Sequence, residues 1–194
     1  MKAILDANVL FSITLTDALL WLARHRLLVP LWTEDILEEA ERSVLTKRST
    51  ESETRATRVR GRFQAMRDYF PRALVARQKY AHLIGEMRNN QEDRHVLAAA
   101  VAARADIIVT ANVKHFQPES LIGLPVGGVM TPDAFMCELH RSHPLLVEAV
   151  ADIMLAEKEH PRMSIPDLAD RLVAAGAPGF AERLGLLVPV FLDR

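Results

Sequence analysis

Short apolar runs alternate with longer amphipathic stretches over the first 130 residues or so of the chain. The apolar runs predict buried strands at residues 3–5, 28–32, 106–109 and 127–130. Apolar side chains at helical spacing predict helices at residues 16–28, 33–45, 54–70, 71–84 and 92–104. Because strands and helices alternate, the pattern predicts an α/β fold with a central, mostly parallel sheet.

The pattern changes after residue 142. Amphipathic helices are predicted at residues 144–159, 164–175 and 180–187, and the strongest strand pattern in this part is residues 187–191. We therefore predict two regions, a catalytic-type α/β domain at residues 1–141 and a small helical C-terminal extension at residues 142–194.

Composition supports a folded protein. The 194 residues are 49% hydrophobic and 25% charged, which excludes a disordered or collagen-like chain. The single cysteine, Cys137, cannot form an internal disulfide. No apolar stretch reaches the roughly 18 residues of a membrane span, and no signal-peptide pattern opens the chain. We expect a soluble, cytoplasmic protein without membrane association.

The net charge of −1 argues against a strongly cationic nucleic-acid binder, but the charge is unevenly distributed. Residues 47–79 carry 10 basic and 3 acidic side chains. Charge alone favours a solvated, Arg-rich helical hairpin. The alternative is a wall that faces nucleic-acid phosphates, with Arg58, Arg60 and Arg62 as the candidate contacts.

Polar side chains follow two of the predicted strands. Asp6 and Asn8 come after the first strand, and Thr110 and Asn112 come after the third. In a parallel sheet, ligands bind outside the carboxyl ends of the strands, so we expect these four residues to line one crevice. Asn8 and Thr110 are candidates for contact with a substrate there.

Acids on two helices can complete this crevice. Asp93 begins the helix before the third strand, and the helix from residue 33 carries Glu38, Glu39 and Glu41. The helical wheel places Glu39 nearer the apolar stripe than Glu41 but does not separate it from Glu38, so we take Glu39 as the candidate and leave Glu38 open. Converging carboxylates repel one another unless a cation lies among them, and hard oxygen ligands suit Mg²⁺ or Mn²⁺. Such a site supports metal-assisted phosphodiester hydrolysis.

Four segments of the chain carry these residues in a familiar order. They read Ile4-Leu5-Asp6-Ala7-Asn8-Val9-Leu10, Leu37-Glu38-Glu39-Ala40-Glu41-Arg42, Glu92-Asp93-Arg94-His95-Val96-Leu97-Ala98-Ala99-Ala100 and Ile108-Val109-Thr110-Ala111-Asn112-Val113-Lys114-His115-Phe116. In order and spacing they resemble the acidic motifs of the PIN-domain ribonucleases, most closely the VapC toxins of toxin–antitoxin pairs. The resemblance covers roughly residues 1–140.

The resemblance implies a compact, PIN-like α/β/α sandwich around a central, mostly parallel sheet. It also implies an endoribonuclease that depends on Mg²⁺ or Mn²⁺, cuts RNA, binds a cognate antitoxin and frequently forms a homodimer. It implies Asp6 and Asp93 as metal ligands, Glu39 as the helix carboxylate, and Thr110 as a hydroxyl that orients a carboxylate or a water. At the fourth position this chain has Asn112, where many relatives have Asp. Asn is the weaker ligand, so we expect one well-held metal ion.

Three alternatives stay open at this stage. One is a nuclease-inactive PIN module that acts by binding RNA or protein, and another is a PIN nuclease that acts on DNA. An Asp-nucleophile phosphatase ranks low, because that chemistry needs an acid where the chain has Asn8. His95 and His115 are left out of the catalytic set, because carboxylate–metal chemistry needs no histidine base.

Overall fold

The computed structural model describes residues 1–46, 53–157 and 163–185. They form two compact units, the first from residues 1–13 and 28–131 and the second from residues 14–27 and the described chain from 132 onward. This division differs from the predicted ranges 1–141 and 142–194, because it assigns the helix after residue 131 to the second unit. The predicted domain boundary itself stays a prediction.

The first unit is built on a four-stranded, fully parallel sheet. Its strands are β1 (Lys2–Leu5), β2 (Val29–Leu31), β3 (Ile107–Val109) and β4 (Val129–Met130), in the order β2-β1-β3-β4. In the two central strands, Ala3 lies opposite Ile107 and Leu5 opposite Val109. The predicted α/β fold with its parallel sheet is confirmed.

Burial explains why the central strands have uninterrupted apolar sequences. Ile4, Leu5 and Ile108 are completely buried, since parallel strands are covered on both faces. The helix that precedes β3 is α6 (Arg94–Ala103), and its run Val96 to Ala100 is completely buried as well. Its alanines have short side chains, which permit a close approach to neighbouring elements.

Four further α-helices of the first unit are α1 (Ala7–Leu10), α3 (Glu34–Thr46), α4 (Glu53–Tyr69) and α5 (Arg77–Tyr80). Helix α3 begins where predicted, because the Thr33 hydroxyl accepts a hydrogen bond from Ile36 N at 3.1 Å. Its buried face consists of Ile36, Leu37 and Ala40, so the acids between these positions point elsewhere.

The prediction of a single helix at residues 71–84 is wrong. Only α5 is α-helical there, and a 3₁₀ turn, Ala81–Glu86, follows it. Residues before α5 instead extend beside Trp32, whose backbone N–H donates to Ala73 O at 3.0 Å and whose carbonyl accepts from Val75 N at 2.8 Å. These pairings satisfy backbone groups that a helix would have used internally, which the helical spacing of the side chains does not reveal.

The second unit is helical in its described residues. It contains most of α2 (Ile13–Arg24), and α7 (Pro132–Ser142), α8 (Pro144–Glu157), α9 (Ile165–Ala174) and α10 (Pro178–Arg183). Helix α9 begins with a capping box in which Ser164 and Asp167 bond each other's backbone N–H groups. The predicted strand at residues 187–191 lies outside the described residues. None of the described helices is long and apolar enough to cross a membrane.

A carboxylate on α7 fixes the start of α10. Asp133 accepts hydrogen bonds from Gly179 N at 3.2 Å and Phe180 N at 2.7 Å. A Cβ atom on residue 179 would lie 2.9 Å from the Asp133 carboxylate, so the close approach requires glycine at this position.

Candidate active site

Asp6 lies immediately after β1, and its backbone N–H and both of its carboxylate oxygens make hydrogen bonds. Its backbone N–H donates to Val109 O at 3.0 Å, which ties it to the end of β3. One carboxylate oxygen accepts from Ala7 N at 2.7 Å, and the other accepts from Asn8 Nδ2 at 2.7 Å and Thr110 Oγ1 at 2.6 Å. The residue is 2% exposed. The Asp6 carboxylate therefore has one fixed orientation.

Thr110 connects the ends of β1 and β3. While its hydroxyl donates to Asp6, the same oxygen accepts from Asn8 Nδ2 and from the Asn112 backbone N–H, both at 3.0 Å. Asn8 Oδ1 in turn accepts from Ala111 N at 2.8 Å. The Thr110 hydroxyl thus uses its one donor and both of its acceptor lone pairs in hydrogen bonds. Thr110 and Asn8 thus position Asp6, and the predicted contact of either residue with a substrate stays a prediction.

Asp93 ends a 3₁₀ turn, Gln91–Asp93, directly before α6. Its side chain makes no capping hydrogen bond to α6, so the role of a simple helix cap is excluded. Asp93 Oδ2 instead lies 2.6 Å from His115 Nδ1, and 15% of the Asp93 side chain is exposed. His115, which the sequence prediction left out of the site, therefore orients this carboxylate.

Glu39 is on the exposed side of α3, with 53% of its side chain accessible. Its carboxylate lies 3.8 Å from His95 Nε2, while His95 Nδ1 bonds the Glu92 carbonyl at 2.9 Å. Both Glu38 and Glu39 line the cleft described next, and Glu39 also lines a second, smaller cleft with Ala7 and Asn8. This contact with the surroundings of Asp6 favours Glu39 over Glu38.

An open cleft of about 580 Å³ connects several of these groups. Five carboxylates, four basic or imidazole side chains and two neutral ones line it: Asp35, Glu38, Glu39, Glu92, Asp93, Arg42, Arg77, His95, His115, Ile84 and Asn112. The predicted residues Glu39, Asp93 and Asn112 thus share one cleft. Asp6 does not line it, but the Asp6 network reaches it through the Asn112 backbone.

Burial and neighbouring negative charge raise the pKa of two of these carboxylates, Asp6 and Glu39. Burial raises the pKa of Asp6 and the charge of Asp93 raises it further, against the hydrogen bonds from Thr110 and Ala7. Burial likewise raises the pKa of Glu39, and the charges of Asp6 and Asp93 add to this effect. The three predicted carboxylates therefore interact electrostatically, and a cation among them would relieve their repulsion.

The described residues form no group of three or more His, Cys, Asp or Glu side chains that could hold a metal ion. Asp6, Glu39 and Asp93 are thus near enough to interact electrostatically, but their side chains do not converge on one point as a complete set of metal ligands. This arrangement suits Mg²⁺ or Mn²⁺, which commonly keeps several waters and binds through one or two carboxylates. The donor set of hard oxygens fits such an ion.

Of the arginines predicted to bind nucleic acid, none lines the cleft. Arg62 donates to Leu10 O at 2.7 Å and Ser12 O at 3.4 Å, and Arg60 lies 3.5 Å from Glu53. Arg58 is exposed on α4. Arg62 therefore binds the protein's own backbone, and contacts of the three arginines with RNA stay a prediction.

We expect Glu39→Gln to raise the melting temperature of the EDTA-treated protein slightly at pH 7. Because the folded protein raises the Glu39 pKa above its ordinary value of 4.5, the ionised side chain destabilises the fold at neutral pH, and Gln removes that charge. The gain should shrink as pH falls through the raised pKa and vanish below about 4.5. Calorimetry from pH 4 to pH 8 measures it, and a lower melting temperature at pH 7 would contradict the repulsion.

Comparisons with known proteins agree with this geometry. Residues 2–114 match a family model described as PIN domain, and residues 132–186 match one described as VapC50 C-terminal domain. A Mycobacterium tuberculosis (strain ATCC 25618 / H37Rv) protein described as "Putative ribonuclease VapC50" is 36% identical over 110 residues. The alignment covers 57% of this chain and 64% of that relative, so the chain spans less than two thirds of the relative's length. No solved structure matches the chain.

Proposed function

Because the chain belongs to the PIN-domain family, we propose that it is a metal-dependent endoribonuclease, the toxin of a toxin–antitoxin pair. The observation that carries the proposal is that Glu39 and Asp93 line one open cleft, which the hydrogen-bond network of Asp6 reaches through Thr110 and the Asn112 backbone. Carboxylates that lie this near to one another repel, and such a group beside an open cleft is typical of a site that binds a cation.

Asp6 and Asp93 would hold Mg²⁺ or Mn²⁺, with Glu39 completing the site. When bound, the ion activates water and neutralises charge on the phosphate that is attacked. Thr110 and Asn8 hold the Asp6 carboxylate in one orientation, and His115 does the same for Asp93. The Asn112 side chain adds a neutral donor and acceptor to the cleft. These residues fix the acids before the substrate arrives, which lowers the reorganisation that the reaction requires.

The partners follow from the same proposal. RNA is the substrate, a cognate antitoxin protein blocks the cleavage, and the active form is a homodimer in the cytoplasm. The relative's description as a VapC50 ribonuclease and the match of residues 132–186 support the toxin assignment.

Removal of the metal should abolish cleavage. We expect the purified chain to fragment total cellular RNA in MgCl₂ or MnCl₂ and to leave it intact in EDTA, because the carboxylates alone cannot neutralise the phosphate. Fragment lengths on a denaturing gel measure this, with a single-stranded DNA of mixed sequence in parallel.

The other possible results of this experiment favour a different function or contradict metal dependence. RNA that binds but stays intact with both metals would indicate the nuclease-inactive module, which Asn112, at a position where many relatives have Asp, favours. Cleavage of the DNA alone would indicate a DNA nuclease. Cleavage that persists in EDTA would contradict metal dependence.

A further inference from the structure

Arg42 is a cation in the acidic cleft that no carboxylate of the described residues neutralises directly. It lies on α3, one turn after Glu39, and its exposed side chain lines the cleft. Its guanidinium makes no hydrogen bond or ion pair with the described part of the chain within ordinary distances. Its charge nevertheless lowers the pKa of Glu39, against the larger effects of burial and of Asp6, so Arg42 is within electrostatic range of Glu39.

Each of the other basic side chains of the cleft already makes a hydrogen bond within the protein, although the buried Nε2 of His95 has no hydrogen-bond partner among the described residues. Arg77 Nη1 lies 2.6 Å from each oxygen of the Asp35 carboxylate. His115 bonds Asp93, and His95 bonds the Glu92 carbonyl. Among the cationic groups that line the cleft, the Arg42 guanidinium thus keeps its hydrogen-bond donors for a ligand.

An RNA strand that enters this cleft meets the field of five carboxylates. One divalent ion offsets only part of that charge, so phosphates beside the attacked one need a further cation. A guanidinium suits this purpose because its planar set of N–H donors binds two phosphate oxygens at once.

We propose that Arg42 binds an RNA phosphate in the cleft, next to the phosphate that is cleaved. This contact rests on the proposed ribonuclease function and assigns its substrate-binding cation. It also locates the principal phosphate contact on α3, beside Glu39, and not on the predicted arginines of α4.

The contact is tested by the salt dependence of RNA binding. The parent is full-length Asp93→Asn in EDTA, and the probe is a fluorescein-labelled single-stranded oligoribonucleotide of mixed sequence. We expect Arg42→Gln to weaken binding about tenfold and to reduce the slope of log Kd against log salt concentration by about 0.7, the contribution of one phosphate contact on a single strand. Arg42→Lys should keep the slope and recover part of the affinity.

Arg171→Gln is the matched control, since it makes the same charge change at an exposed position of α9 that does not line the cleft. We expect it to leave the slope unchanged. If Arg42 only balances Glu38 and Glu39, Arg42→Gln will lower the melting temperature but leave the slope equal to that of the control, and this result would overturn the proposal.

The same experiment separates the two proposals. A parent variant that binds the RNA, with a slope insensitive to residue 42, overturns the Arg42 contact and leaves the ribonuclease function intact. A parent variant that binds no RNA at any salt concentration, either in EDTA or in MgCl₂, overturns the proposed function and the contact with it.

Discussion

Asp93→Asn should lower the rate of RNA cleavage by at least about a thousandfold while the protein stays folded. The substitution removes the charge that is proposed to bind the cation but keeps an oxygen that His115 Nδ1 can still approach, as it approaches Asp93 Oδ2 at 2.6 Å. Cleavage of a labelled RNA under single-turnover conditions in MnCl₂ measures the loss. Circular dichroism and the melting temperature check the fold.

The matched control for this change is Asp106→Asn. Asp106 is exposed and its carboxylate accepts a hydrogen bond from Lys2 N at 2.6 Å, a contact that Asn can also make. The control should cleave at the wild-type rate. Equal activity of the Asp93 variant and the wild type would remove Asp93 from the catalytic set.

Thr110→Val should lower both activity and stability. The hydroxyl is completely buried and serves Asp6, Asn8 and the Asn112 backbone together. Its loss leaves buried polar groups without a partner, which costs about 1–3 kcal/mol of unfolding free energy. Because Asp6 then loses its fixed orientation, we expect cleavage to fall by about 10- to 100-fold.

Thr110→Ser provides the control for the second prediction. Serine keeps the hydroxyl, so it should recover most of the activity and much of the stability that valine loses. Urea unfolding in EDTA and single-turnover cleavage give the two quantities separately. If valine and serine behave alike, the hydroxyl does not position Asp6.

The crevice residues after β1 and β3 were predictable from sequence alone. Parallel strands bring their carboxyl ends to one edge, so the alternation of apolar runs and helices already implied that Asp6, Asn8, Thr110 and Asn112 meet there. The hydrogen bonds from Asn8 and Thr110 to Asp6 follow this expectation closely.

Other features depend on contacts that no local pattern encodes. His115 lies 22 positions after Asp93, in a 3₁₀ turn, Val113–His115, that follows β3, and the periodicity does not specify the path of this turn. Arg62 looked like a surface cation, yet it bonds a backbone carbonyl 52 positions earlier. Tertiary packing decides whether a charged side chain contacts the protein itself or is free to contact a ligand. The number of charges along the chain contains no information on this point.

The most direct test of the central claim is to sequence the RNA 5′ ends that arise in cells after expression of the full-length chain is induced. The account predicts new, discrete 5′ ends with the wild type and none with Asp93→Asn expressed at the same level. The same ends in both strains, or no new ends with the wild type, would contradict a ribonuclease whose acids act at this cleft.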